Sequence, residues 1–121
     1  MSAAIRILFA LELALLFAHE MDAVRKQEWK MFIVLKDMEE ERAYSIFMLL
    51  HIPLYTVPIL LLFSRYYLMA SYIVDAFLIL HVFLHWGFRK HRANRLSGGI
   101  SKILINLPGG IAILHCVLLM V

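Results

Sequence analysis

Apolar residues run almost unbroken through four stretches of this chain, approximately Ala4 to Val24, Ala43 to Phe63, Tyr66 to Phe88 and Ile103 to Val121. A helix rises about 1.5 Å per residue, so about 20 mainly apolar residues cross a hydrocarbon core of about 30 Å. The pattern predicts four transmembrane helices, the last at the short end of the range. Only Ser64 and Arg65 clearly separate the second from the third, which makes those two an antiparallel hairpin. Charge collects in two connections, Arg25 to Arg42 and Arg89 to Lys102. In the first, Trp29, Phe32, Ile33 and Leu35 alternate with Lys30, Lys36 and Asp37, as an amphipathic helix lying at the interface would. The segment "DMEEER" then marks solvent, and "RKHRANRLSGGISK" in the second connection suits anionic headgroups. The expected fold is all-α: a four-transmembrane-helix bundle with an interfacial amphipathic segment between helices 1 and 2, forming a single integral membrane domain over residues 1–121.

Composition agrees with the pattern. The 121 residues are 63% hydrophobic, against about 45–50% in soluble domains, and the mean hydropathy is +0.80. Arg6 followed by the apolar Ile7 to Ala18 has the outline of a secretory leader. Glu12 interrupts that run, however, and His-Glu-Met-Asp stands where cleavage would fall, so the stretch is read as a retained first helix. The net charge of +3 does not indicate nucleic acid, because the basic residues sit between apolar runs rather than along one solvated face. They set topology instead. With four spans, both charged connections share a side, and of the twelve Lys and Arg only Arg6 and Arg65 lie opposite. The positive-inside rule puts the connections in the cytoplasm and both termini outside it. Cys116 is the single cysteine, which excludes an internal disulfide.

Nine ionisable residues nevertheless lie inside the apolar runs, each costing about 2.5–3.5 kcal/mol at a helix centre. By depth they form two layers. His19, Glu20 and Asp22 on the first helix, His51 on the second, and His81 and His85 on the third fall within about two turns of the cytoplasmic ends. Glu12, Asp75 and His115 fall about 18 Å deep, near mid-membrane. At about 100° per residue, Glu12, His19 and Asp22 share one face of the first helix, and Ser71, Asp75, His81 and His85 share one face of the third. Ile73, Phe77, Leu80 and Leu84 are left for lipid or neighbouring helices. Pro53 and Pro58 disturb the second helix beside His51, and Pro108-Gly109-Gly110 bends the fourth or lets a backbone approach closely.

The inner layer has the donor chemistry of a divalent metal site, zinc or non-haem iron. His81-x3-His85 is the i, i+4 spacing at which two imidazoles reach one ion, His19 and Asp22 offer an i, i+3 pair, and His51 completes the set. Glu20 is then the candidate general base, toward a lipid-like ester or amide entering from the inner leaflet. Glu28 is read as a surface partner of Lys or Arg. Three other readings use the same residues. One is a structural or accessory subunit of a larger membrane complex, glued by interhelical hydrogen bonds. The second is a homo-oligomeric proton or ion relay through both layers, and the third is haem b ligation by a histidine pair.

The block "LELALLFAHEMDAVRKQEWKMF" with "FMLLHIPLY" resembles a family of small, uncharacterised bacterial integral membrane proteins in which His-Glu-x-Asp-Ala, Glu-Trp and Leu-His-x-Pro segments recur. Here these are His19, Glu20, Asp22, Ala23, Glu28, Trp29, His51 and Pro53. The resemblance covers about the first half of the chain. It implies a shared four-helix membrane fold, placed in the bacterial inner membrane, and brings no established activity.

Overall fold

The computed structural model describes residues 2–121, which form four helices: α1 (Ala3–Arg25), α2 (Glu40–Leu62), α3 (Tyr67–Gly87) and α4 (Gly99–Met120). Three of them, α2, α3 and α4, are long and apolar enough to cross a membrane. α1 is as long as α2, at 23 residues, but Arg6, Glu12, Glu20 and Asp22 interrupt its apolar run. Helices α2 and α4 start three or four residues earlier than their apolar stretches do. At α2 the reason is a cap: the Glu39 carboxylate accepts from the backbone N–H groups of Glu41 and Arg42, both at 3.1 Å. An acid there satisfies orphan donors and complements the helix dipole, so the acidic segment becomes a first helical turn.

Helices α1, α3 and α4 pack around Phe9, Leu13, Leu16, Val74, Leu78 and Ala112. α4 fits closely against α3 at Gly109, where a Cβ would lie 2.5 Å from Val82 Cγ2 and 3.4 Å from the Leu78 carbonyl oxygen. A small residue is what permits that approach. α2 leans on the outside of this trio. Its fully buried residues are Ala43 and Phe47, while Leu49, Leu50, Ile52 and Leu60 are exposed, as the lipid face of a spanning helix would be. It remains one helix through Pro53 and Pro58. On α3, Ile73, Phe77, Leu80 and Leu84 all point outward.

The α1–α2 connection differs from the expected amphipathic helix. Gln27 takes a left-handed conformation, φ 55°, which ends α1 and turns the chain into a short 3-10 turn, Glu28–Met31, followed by further turns. The chain thereby folds back under the helices. Trp29 and Leu35 pack with Ala23, Ala43 and Phe47, and Met31 packs with Leu96 and Ile105. The Gln27 side chain ties this arrangement together by donating to Glu40 Oε1 at 2.6 Å and accepting from Arg95 at 3.1 Å.

Candidate metal centre

Where this folded connection meets α1 and α3, four side chains converge. α1 supplies His19, the 3-10 turn supplies Glu28, and consecutive turns of α3 supply His81 and His85; one donor atom from each lies within 4.8 Å of the others. Nε2 of His85 is 2.9 Å from Nε2 of His81 and 3.3 Å from Glu28 Oε1. Nε2 of His19 is 3.7 Å from Glu28 Oε2. The rings stand edge to face, His19 at 4.7 Å from His81 and 5.0 Å from His85 between centroids. Ligands about 2.0–2.1 Å from a tetrahedral zinc ion are about 3.3 Å from one another, so the separations found here bracket what an ion needs. Hydrogen bonding points the same way. His19 is 1% and Glu28 5% exposed, yet both His19 ring nitrogens and Glu28 Oε2 have no hydrogen-bond partner. Buried polar atoms are rarely left so, and an ion among them would satisfy His19 Nε2 and Glu28 Oε2.

The remaining residues of the inner layer are placed beside this cluster. His51 lies with Nε2 2.6 Å from Glu20 Oε2 and Nδ1 2.6 Å from the Phe47 carbonyl. The carbonyl can only accept, so Nδ1 donates, and a proton must also lie between Nε2 and the carboxylate. The Glu20–His51 pair thus shares a proton between Nε2 and the carboxylate. Asp22 accepts a hydrogen bond from the Ser101 hydroxyl, joining α1 to α4. Glu28 is the residue that sequence periodicity misses. It lies outside any helix, so no 3.6-residue pattern relates it to His19, and the one hint is its position next to Trp29 in a connection rich in large apolar residues. Far from pairing with Lys or Arg at the surface, it is buried among imidazoles.

Two cavities are each walled by two members of the cluster. One, of about 290 Å³ between α2 and α3, is walled by Glu20, Glu28, His51, His81, Phe77 and Leu84. The other, of about 250 Å³, is walled by Glu28, His85, Met31, Phe32, Leu84 and Phe88. Deeper in the bundle, Glu12, Asp75 and His115 form a second group with donor atoms within 4.8 Å of one another.

The model of a protein family described as "Family of unknown function (DUF6713)" matches residues 5–121. The chain belongs to this family. The match spans all four helices and both buried polar groups, including the second half of the chain, beyond the segments that carry the resemblance in the sequence. No curated protein and no solved structure matches.

Proposed function

We propose that this DUF6713 chain is a four-span protein of the bacterial inner membrane that holds a divalent ion, zinc or non-haem iron, at His19, Glu28, His81 and His85. The observation that carries the reading is the convergence of three imidazoles and one carboxylate at separations suited to one ion, with His19 and Glu28 buried and short of hydrogen-bond partners. Three neutral imidazoles with a carboxylate are the donor set such ions take. In this reading α1 crosses the bilayer with its acids turned toward the bundle. The charged connections lie in the cytoplasm, which places the centre at the inner leaflet.

Elemental analysis of the gently purified protein in detergent tests this. One zinc or iron per chain at this centre is expected in the wild type, and His81→Ala and His85→Ala should each lose it while helix content stays unchanged. A wild-type protein that holds no metal, even after loading, overturns the reading in favour of a bundle glued by polar contacts.

A second reading rests on the Glu20–His51 pair and the cavity between α2 and α3. An ion held by His19, Glu28, His81 and His85 would supply Lewis acidity and an activated water. Glu20, in the wall of the cavity, would be the base placed to accept the nucleophile's proton in hydrolysis of an ester or amide. The Glu20–His51 pair would hand that proton on to the leaving alcohol or amine. The cavity opens between two lipid-facing helices, so a lipid-like substrate fits it. Turnover of a chromogenic acyl ester in mixed micelles, lost in Glu20→Gln with metal retained, supports this use; equal turnover in that variant sinks it.

A further inference from the structure

The second buried group lies about seven residues along α1, roughly 10 Å, from the inner centre. Glu12 and His115 are fully buried and Asp75 is 1% exposed. His115 Nδ1 is 2.9 Å from Asp75 Oδ1 and 3.5 Å from Glu12 Oε1. Each residue comes from a different helix of the core trio, α1, α3 and α4. Among the described residues, no Lys or Arg nitrogen lies in ion-pair range of either carboxylate. Neither Glu12 oxygen has a hydrogen-bond partner, and neither does Asp75 Oδ2. Glu12 is thus a completely buried, unpartnered side chain aimed at a bonded Asp75–His115 pair.

Such an arrangement is costly as it stands. Two carboxylates side by side in an apolar interior repel each other, and one imidazole cannot balance both. A divalent cation can: two carboxylates, a neutral imidazole and a double positive charge sum to zero. The separations of 2.9 and 3.5 Å again bracket the roughly 3.3 Å between ligands of one ion. The unpartnered oxygens of Glu12 and Asp75 supply the further donors that a complete coordination shell requires.

We infer that Glu12, Asp75 and His115 form a second cation site, at mid-membrane and separate from the inner centre, that takes a divalent first-row ion through an oxygen-rich shell. Ligation through His115 Nδ1 requires the proton shared with Asp75 to leave that nitrogen, and Nε2 of the same ring, which has no partner, is free to take it. The donor set distinguishes the two sites. Two carboxylates and one imidazole suit Mn²⁺ as well as Zn²⁺, whereas three imidazoles favour zinc or iron.

The experiment uses the full chain in detergent, stripped of metal and reloaded with Zn²⁺ or Mn²⁺, with ions counted per chain and bound Mn²⁺ read by electron paramagnetic resonance. The wild type should take two zinc ions. Glu12→Gln and Asp75→Asn should each take one, and His85→Ala should also take one. Mn²⁺ bound to the His85→Ala protein should show nitrogen coupling from a single imidazole. One zinc per wild-type chain, unchanged in Glu12→Gln and Asp75→Asn, would overturn the inference and leave the two carboxylates sharing protons. If those variants do not insert, the His85→Ala protein decides alone, because its failure to bind either ion overturns the site. The two centres fail separately: zinc lost in Glu12→Gln but not in His81→Ala removes the inner centre and keeps this one.

Discussion

Glu20 of α1 and His51 of α2 meet across 2.6 Å, and this contact is a buried polar link between α2 and α1, added to the bonds that Glu40 makes with the connection at the helix's start. Its apolar attachments include Ala43, Ile46 and Phe47 near one end, Tyr55, whose ring lies 4.5 Å from that of Phe17, and Leu62 at the other end. The second His51 bond, to the Phe47 carbonyl one turn back, holds the imidazole in the orientation that reaches Glu20.

The two members of the pair should therefore respond differently to substitution. Glu20→Gln keeps an amide that can still bond His51, so its melting temperature in detergent should stay near the wild-type value. His51→Ala removes the bond outright and should cost about 1–2 kcal/mol, the upper range for interhelical hydrogen bonds in membranes. Neither residue ligates in the proposed centre, so metal content should be unchanged in both. Loss of metal in His51→Ala would mean that His51 is itself a ligand.

Glu28→Gln tests the ligand that comes from the connection. Substitutions of partners one step removed from an ion already cost about 10–100-fold in affinity, so loss of a ligand charge should weaken zinc binding at least tenfold in a competitive chelator titration. Glu41→Gln, at the exposed start of α2, serves as the control and should have no effect. Equal affinities would return Glu28 to the role of a plain polar contact.

Gly109→Ala should destabilise the bundle by about 1–3 kcal/mol, the usual cost of overpacking. The added methyl would meet Val82 Cγ2 at 2.5 Å, and a β-branched side chain on a helix has one preferred rotamer and cannot swing away. Gly110→Ala meets nothing within 4 Å and should be close to neutral. Val82→Ala should restore Gly109→Ala by making room, read as recovery of melting temperature.

Topology is open to reporter fusions. A reporter placed after Val121 should be active outside the cytoplasm and one inserted near Asn94 should be active inside it, because the Lys and Arg content of the two sides is so unequal. The reverse pattern would move the centre to the outer leaflet.

The positions of the helices were legible in the sequence, since long apolar runs separated by charge leave few alternatives. The two polar layers were also legible as depths, because residues at equal distance from the helix ends can meet. Glu12, Asp75 and His115 do lie together, as do His19, His81 and His85. Two things escaped. The lateral choice of partner within a layer depends on which helices are neighbours, and that is why His51 lies with Glu20, and Asp22 with Ser101, rather than in the four-residue cluster. The course of the first connection depends on one left-handed residue, Gln27, for which composition carries no signal. Once that turn is made, Trp29 and Met31 are directed inward and Glu28 between His19 and His85.

The origin of Glu28 in a connection, rather than in a helix, has a consequence for the order in which the protein matures. Two donors of the proposed inner centre come with α3, which is apolar enough to cross a membrane, and one with α1, but the fourth arrives only when the segment after α1 closes over the bundle's end. The closed connection is held by Trp29, Leu35 and Met31 and by the Gln27 bonds, so in the proposed reading the ion finds its last donor already brought into place by packing. Closure would then precede capture, and the metal-free protein would keep the fold of its first connection.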